Sequence, residues 1–272
     1  MSAERRFPRR SERGTRPNPS GVHFLVAEDV VNTLVRVCRP GPDDLVIDFG
    51  AGPGVLTSAA AKRGARVLAV ERDAEFAAML IRRFRDNARV RVVRGDLRTV
   101  TLPRKDFLVM ANPPYSASTA LFRRLLGARR PTVVRGALTV EWGFARRLVS
   151  ATSSAGELAW WAARYDIGLV RRVRPASFRP QPRVDSAVVS IRRRELSPEA
   201  ERLLVELLKA AGRNPSRSAR SLVRHIGAPD AHRLLARCGV EPGSSAGIVP
   251  PSAFAAFADA ATARGEKPSS TV

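Results

Sequence analysis

Gly50, Gly52 and Gly54 stand between an apolar run, Leu45 to Phe49, and an alanine-rich stretch, Leu56 to Lys62. Glycine admits left-handed backbone and lets the main chain approach a ligand closely. The N-terminus of a following helix favours negative charge. A buried strand that turns through such a loop into a helix opens a βα unit, and the residues after it repeat the pattern. Arg66 to Glu71 reads as a strand, Ala74 to Arg85 as a helix, Val90 to Val93 as a strand and Phe107 to Ala111 as a strand. Leu121 to Leu126 then reads as helical and Val133 to Val140 as another strand. Alternation of this length predicts an α/β fold with a doubly wound, largely parallel sheet.

The pattern changes towards the C-terminus. Residues 159–173 and Ser186 to Arg192 read as two strands, and the absence of a helical period over 163–192 predicts that they close as an antiparallel hairpin. Pro175 and Pro180 argue against a regular element in the loop between them. Ser197 with Pro198 has the form of a helix start, and Leu203, Leu204, Leu207 and Leu208 lie at helical spacing. Ala231 to Cys238 and Pro251 to Ala263 read as further helices. Residues 21–196 are therefore expected to form the α/β domain and 197–263 a small, all-helical domain. The stretch 1–20 alternates Arg with Pro, Ser, Gly and Glu, and 264–272 is polar; both are expected to be disordered when free.

Charge narrows the partners. Lys and Arg number 47 against 25 Asp and Glu, a net charge of +22. Arginine pairs with phosphate through a planar fork and stacks on bases, so the excess points to nucleic acid. The arginine-rich 171–183 segment, the basic arm and the helical domain are the expected phosphate contacts. Cys38 and Cys238 are far apart, and His23, His225 and His232 are scattered, so no metal site is expected. No apolar run is long enough to cross a membrane. A cytoplasmic monomer is the expectation.

Three strand ends carry polar groups suited to one ligand. Besides the glycine loop, Glu71 ends the second strand, where a carboxylate can accept hydrogen bonds from ribose hydroxyls. Asp96 follows the third strand, placed to meet an adenine amino group. The ligand should contain adenosine, as a nicotinamide dinucleotide or as S-adenosylmethionine. The fourth strand end chooses between them. Asn112-Pro113-Pro114-Tyr115 follows Phe107–Ala111 and has no evident use in hydride transfer. It suits methyl transfer to an exocyclic amine, whose lone pair is delocalised into its ring. Acceptors at the Asn112 side-chain oxygen and the Pro113 carbonyl would hold both N–H bonds and aim the lone pair at a sulfonium methyl. Tyr115 would stack on the base once it has left its helix.

These residues resemble the ribosomal RNA adenine-N6 methyltransferases, which include the Erm macrolide-resistance enzymes and the small-subunit dimethyladenosine transferases. The resemblance rests on Val22-His23-Phe24-Leu25, the glycine loop, Asn112 to Tyr115, and Phe178-Arg179-Pro180-Gln181-Pro182-Arg183-Val184-Asp185-Ser186. Glu141, Trp142, Ala145, Arg146 and Arg147 fit a further family segment. The resemblance implies a Rossmann-like seven-stranded methyltransferase sheet, S-adenosyl-L-methionine as donor, and a helical domain that helps to bind RNA. It places Phe178 opposite Tyr115 across the flipped adenine, the alternative for Phe178 being a place in the core. It makes His23 and Leu25 donor contacts beside Gly50, Gly52, Gly54, Glu71, Asp96 and Asn112.

Two departures stand near the reacting centre. The family usually has an aliphatic residue where Pro113 stands, and Gln-Asn where Val22-His23 stands. A stiffer acceptor turn favours addition of a single methyl group. The expected substrate is an adenine of 23S ribosomal RNA in the peptidyl-transferase region, with macrolide resistance as the consequence. The alternatives are a small-subunit dimethyladenosine transferase, a DNA adenine methyltransferase, a nicotinamide dehydrogenase, and a non-catalytic RNA-binding protein on the same scaffold.

Overall fold

A computed structural model describes residues 22–128, 130–224 and 231–263. The arm 1–20 and the tail 264–272 lie outside the described residues. In chain order the elements begin with β1 (Phe24–Leu25), α1 (Glu28–Cys38), β2 (Leu45–Phe49), α2 (Val55–Ala61), β3 (Arg66–Glu71), α3 (Ala74–Phe84) and β4 (Val90–Arg94). Then come β5 (Phe107–Ala111), α4 (Tyr115–Leu126), β6 (Val133–Glu141), α5 (Trp142–Val149), α6 (Glu157–Arg164) and β7 (Tyr165–Val173). The last elements are β8 (Phe178–Arg179), β9 (Ser186–Arg193), α7 (Pro198–Arg213), α8 (Ala219–Arg224), α9 (Ala231–Arg237) and α10 (Pro251–Ala263).

Seven strands form one sheet in the order β4-β3-β2-β5-β6-β9-β7. The first five are parallel to one another; β9 pairs antiparallel with both β6 and β7. The chain winds outward from β2 to β4, then returns to lay β5 against β2. The crevice beyond the carboxyl ends of β2 and β5 is thus the topological switch point, where open α/β sheets bind ligands. The central strands are buried on both faces. Ile47, Phe49 and Val109 sit in a core closed by α4, α5 and α6, and Val46, Leu108 and Met110 in one closed by α1 and α2. At the β4 edge, Arg91 and Arg94 stand exposed, charges of the kind that discourage further strand pairing.

Local chemistry explains the helix starts that position the site. Asp73 caps α3 by accepting from the backbone N–H groups of Glu75 and Phe76. Ser197 caps α7 with Pro198 in its first turn. Helices α7 to α10 gather a second core around Leu204, Leu207, Leu222, Phe254 and Phe257, and α6 adds Ala163 and Trp160 to it.

The structure corrects several element readings. Residues 157–164 are helix α6, and only Tyr165–Val173 is strand. Helix α6 buries Trp161 against the sheet and Ala163 in the second core, so it is apolar on two sides and its sequence lacks a one-sided stripe. Helix α4 starts at Tyr115, six residues earlier than expected, because Pro114 forms its cap and small polar residues fill its first turns. The Pro175–Pro180 loop contains a 3₁₀ turn at Pro175–Ser177 and the two-residue strand β8, which pairs with β1. Helices α1 and α5 were not anticipated.

Candidate active site

The glycine loop adopts left-handed backbone at all three glycines, with φ of 76°, 50° and 79° at Gly50, Gly52 and Gly54. A side chain at Gly54 would put its Cβ 2.5 Å from Leu80 Cδ2, and one at Gly52 would meet the Phe24 ring at 3.0 Å. Glu71 secures the loop. Its Oε2 accepts from Gly52 N–H at 2.7 Å and its Oε1 from Asp73 N–H at 2.8 Å. The carboxylate therefore joins the glycine loop to the turn after β3, and each oxygen keeps a lone pair for a hydroxyl donor.

Beneath the loop, Asp48 is buried in β2 and its Oδ2 accepts from Thr57 Oγ1 at 2.7 Å. Burial pushes the Asp48 carboxyl up to about 7, against the opposing effect of the Thr57 bonds. Asp96 behaves in the opposite way. Its carboxylate takes a fork of bonds from Arg98, with Nη2 to Oδ2 at 2.7 Å, and these bonds hold it down at about 2. The Arg98 side chain is half exposed, and an exposed pair of this kind is cheap to break. Asp96 is thus at the expected strand end, already engaged by its neighbour.

The acceptor turn follows β5. The Asn112 amide is held at both ends. Its Nδ2 donates to the His23 carbonyl at 2.7 Å, and its Oδ1 accepts from Thr139 Oγ1 in a short bond. Because the His23 carbonyl can only accept, the oxygen end is fixed by chemistry. Oδ1 retains one lone pair. Among the described residues no donor is recorded for the Pro113 carbonyl. Tyr115, half-buried, shares a short hydrogen bond with Ser186 Oγ, and its ring lies 5.5 Å from the His23 ring at 35°. His23 Nδ1 donates to the Pro180 carbonyl at 2.8 Å, tying the segment before β1 to the loop after β8.

Donor loop and acceptor turn touch. A Cβ on Gly50 would lie 3.6 Å from Pro114 Cδ and 3.8 Å from Pro113 Cα. Gly50, Gly52, Glu71, Asn112, Pro113, Tyr115 and His23 are thereby brought together at the switch point. This cradle fits an adenosine-bearing methyl donor: left-handed glycines with no side chain in the way, a carboxylate at the end of β3 and another after β4.

Two expected site residues are placed elsewhere. Phe178 is fully buried, paired with Leu25 across the β1–β8 ribbon, in the core that Val30, Leu34 and Val188 share. Its ring offers no face to a base in this structure. The flanking prolines suggested a loop unsuited to packing, but the short antiparallel pairing turns the ring inward. Leu25 packs in the same core and is only 4% exposed, and the little surface it keeps borders a groove. A groove of about 530 Å³ lies between α1, α2 and α3, lined by Val31, Val35, Val55, Ala59 and Met79. Leu25 and the glycine-loop residue Pro53 also line it, whereas Glu71, Asp96, Asn112 and Tyr115 do not.

Sequence reading missed Thr139 and the roles of Ser186, Asp48 and Thr57. The available signal was a polar residue inside an apolar strand: Thr139 between Leu138 and Val140, and Asp48 between Ile47 and Phe49. In the segment between β7 and β9, Arg174, Arg179 and Arg183 are exposed, while Arg172 pairs with Asp185 and lies 5.0 Å over the Trp142 ring. Among the described residues, no cluster suited to a metal ion and no membrane-length apolar helix is found.

A family model described as ribosomal RNA adenine dimethylase matches residues 18–220. A Bacillus licheniformis protein named rRNA adenine N-6-methyltransferase is 32% identical over 186 residues, 68% of this chain and 65% of its own length. The chain thus spans just under two thirds of that relative. A Geobacter metallireducens protein named ribosomal RNA small subunit methyltransferase A is 31% identical over 266 residues, 91% of this chain and 96% of its own. Among solved structures, the 23S rRNA methyltransferase ErmE superposes with a TM-score of 0.70 at 22% identity, covering 86% of this chain and 98% of that one. A dimethyladenosine transferase from Plasmodium falciparum gives 0.65 at 18% identity, covering 86% and 96%. At those identities both likenesses concern the fold.

Proposed function

Because the chain belongs to the ribosomal RNA adenine dimethylase family, we propose that it is an S-adenosylmethionine-dependent N6-methyltransferase acting on one adenine of ribosomal RNA. The observation that carries this reading is the Asn112 amide, fixed with its oxygen as acceptor where β5 ends, beside a glycine loop that touches the same turn. Gly50, Gly52, Gly54, Glu71 and Asp96 would hold the donor, with His23 at the edge of the cradle. Bound there, S-adenosylmethionine would supply the methyl group as a sulfonium, with a neutral thioether as the leaving group.

The protein contributes position and fixed dipoles. Asn112 Oδ1 and the Pro113 carbonyl would accept the two N–H bonds and hold the lone pair out of the ring plane. Neither takes a proton. The methylated nitrogen sheds its extra proton to water, because a cationic exocyclic nitrogen is a strong acid. Tyr115 would stack on the flipped base, held by Ser186. With Phe178 enclosed, the His23 ring, 5.5 Å from the Tyr115 ring, would be the second ring beside the base.

The favoured substrate is 23S ribosomal RNA in the peptidyl-transferase region, with macrolide resistance as the outcome. The Asn-Pro-Pro-Tyr turn and the basic arm support it. A second reading, small-subunit RNA, is favoured by one observation: the Geobacter relative matches through the helical region as well. Pro113 is buried beside Gly50, and two consecutive prolines make a stiff turn that favours a single methyl group. Methylating purified large- and small-subunit RNA in parallel, and mapping the product by primer extension, tests the substrate. Modification confined to small-subunit RNA would overturn the large-subunit reading. Mass spectrometry of the nucleosides tests the number of methyls, and dominant dimethyladenosine under excess donor would overturn the single-methyl reading.

A further inference from the structure

Two buried hydroxyls touch the two working side chains of the acceptor turn. Thr139 and Ser186 are both fully buried, on β6 and β9. Those strands are hydrogen-bonded neighbours, with Thr139 opposite Val188 and Glu141 opposite Ser186. Thr139 Oγ1 donates to Asn112 Oδ1, and Ser186 Oγ bonds the Tyr115 hydroxyl. Neither hydroxyl belongs to the turn. We infer that the β6–β9 pair is the mount of the acceptor site, with Thr139 and Ser186 as positioning residues that set the Asn112 amide and the Tyr115 ring. This rests on the N6-methyltransferase reading.

A carboxamide held by one bond can rotate about Cβ–Cγ and exchange its oxygen for its nitrogen. An amide nitrogen at the amine would present a donor to a donor. The His23 carbonyl selects the nitrogen end, and Thr139 selects the oxygen end. Both are needed, because the second bond converts a preference into a fixed orientation. Valine at 139 keeps the branched shape and removes only the donor. Asn112 Oδ1 would then lose its protein partner, and the amide would sample rotations in which it cannot accept from the amine. Loss of near-attack geometry of this kind costs up to about a hundredfold in rate. Serine at 139 restores the hydroxyl. Ser186 acts on the ring: without its bond, Tyr115 keeps its packing and loses the restraint on its far end.

The test compares wild type, Thr139→Val, Thr139→Ser and Ser186→Ala on a ribosomal RNA fragment that the wild type methylates. Thr139→Val is expected to lower kcat roughly 10- to 100-fold, with KM for RNA and calorimetric donor affinity unchanged within about twofold. Thr139→Ser is expected to recover most of the loss, and Ser186→Ala to raise KM for RNA more than it lowers kcat. An independent readout is the NMR signal of the Asn112 side-chain amide, expected as one sharp Nδ2 pair in wild type and Thr139→Ser and as a broadened or doubled pair in Thr139→Val, where rotation about Cβ–Cγ breaks the bond to the His23 carbonyl. Unchanged kcat in Thr139→Val, a serine variant as impaired as the valine one, or an unchanged amide signal would overturn the inference. If the wild type methylates no adenine, the N6 reading fails instead, and the amide signal still decides whether Thr139 orients Asn112.

Discussion

The glycine loop, which would hold the donor, and the Asn112 turn, which would hold the acceptor, lie side by side, yet they are held in place by different means. The donor loop is held by its neighbours in sequence. Glu71 reaches Gly52 across 19 positions and Asp73 across 2, and Asp48 reaches Thr57 across 9. The acceptor turn is held from afar: Thr139 is 27 positions from Asn112, Ser186 is 71 from Tyr115, and the His23 carbonyl is 89 from Asn112. The donor cradle is thus complete once the two consecutive βα units from β2 to β4 have formed. The acceptor site is complete only when the antiparallel end of the sheet and the β1–β8 ribbon are in place. Such long-range contacts are the costliest in loop-closure entropy.

Substitutions can separate the halves. The largest effect is expected from Asn112→Ala. Methyl transfer should fall on the order of a thousandfold, by analogy with removal of one preorganised polar group from a reacting centre. Donor and RNA affinities should stay near wild type; wild-type turnover, or lost donor binding, would merge the two halves again.

Next comes Asp48. Its carboxyl has a folded value near 7, above its ordinary 3.8, so the fold favours the neutral acid. The stability this allows is complete below about pH 4, declines as pH rises, and is lost above about pH 7. At about 1.4 kcal/mol per pH unit the swing reaches up to about 4 kcal/mol. Asp48→Asn should remove that part of the slope in urea unfolding measured from pH 4.5 to 8.5. An unchanged slope would show that the carboxyl is not neutral in the fold.

Gly54→Ala should cost about 2–3 kcal/mol of stability, from overpacking against buried Leu80 and a left-handed backbone. It should also weaken donor binding while donor-free RNA binding persists, as calorimetry and filter binding would show. RNA binding lost in parallel with donor binding would deny the separation. The smallest effect is expected at Arg98. Arg98→Ala frees the Asp96 carboxylate for a ligand amino group and should tighten donor binding roughly two- to fivefold. Weaker binding would mean that Arg98 itself serves the donor.

The same contrast decides what could be read in the sequence. The parallel βα units were legible because apolar runs, glycines and caps are local signals. Gly50, Glu71 and Asp96 stand where strand-end logic put them. Phe178 was misplaced because its surroundings are made by β1, 153 or more positions away in the chain, and prolines announce a turn without saying which way a ring points. Thr139 was passed over because a threonine in a strand is ordinary, and its value lies in Asn112, which sequence spacing does not bring near. Helix α6 was read as strand because it is buried on two sides.

Helix α6 also bears on modularity. Trp161 belongs to the sheet's core, Ala163 to the helical one, and between them the chain direction is fixed by Arg164, buried, with Nη1 to the Ala128 carbonyl at 2.6 Å and Nη2 to Glu201 at 2.9 Å. Ser153 and Ser154 add hydrogen bonds to the carbonyls of Val249 and Gly247. The C-terminal helices are therefore not a detachable cartridge. A chimera that borrows them from a relative must take the 152–164 segment with them or rebuild one face of a tryptophan-lined joint, because that segment fixes the distance between the C-terminal helices and Asn112.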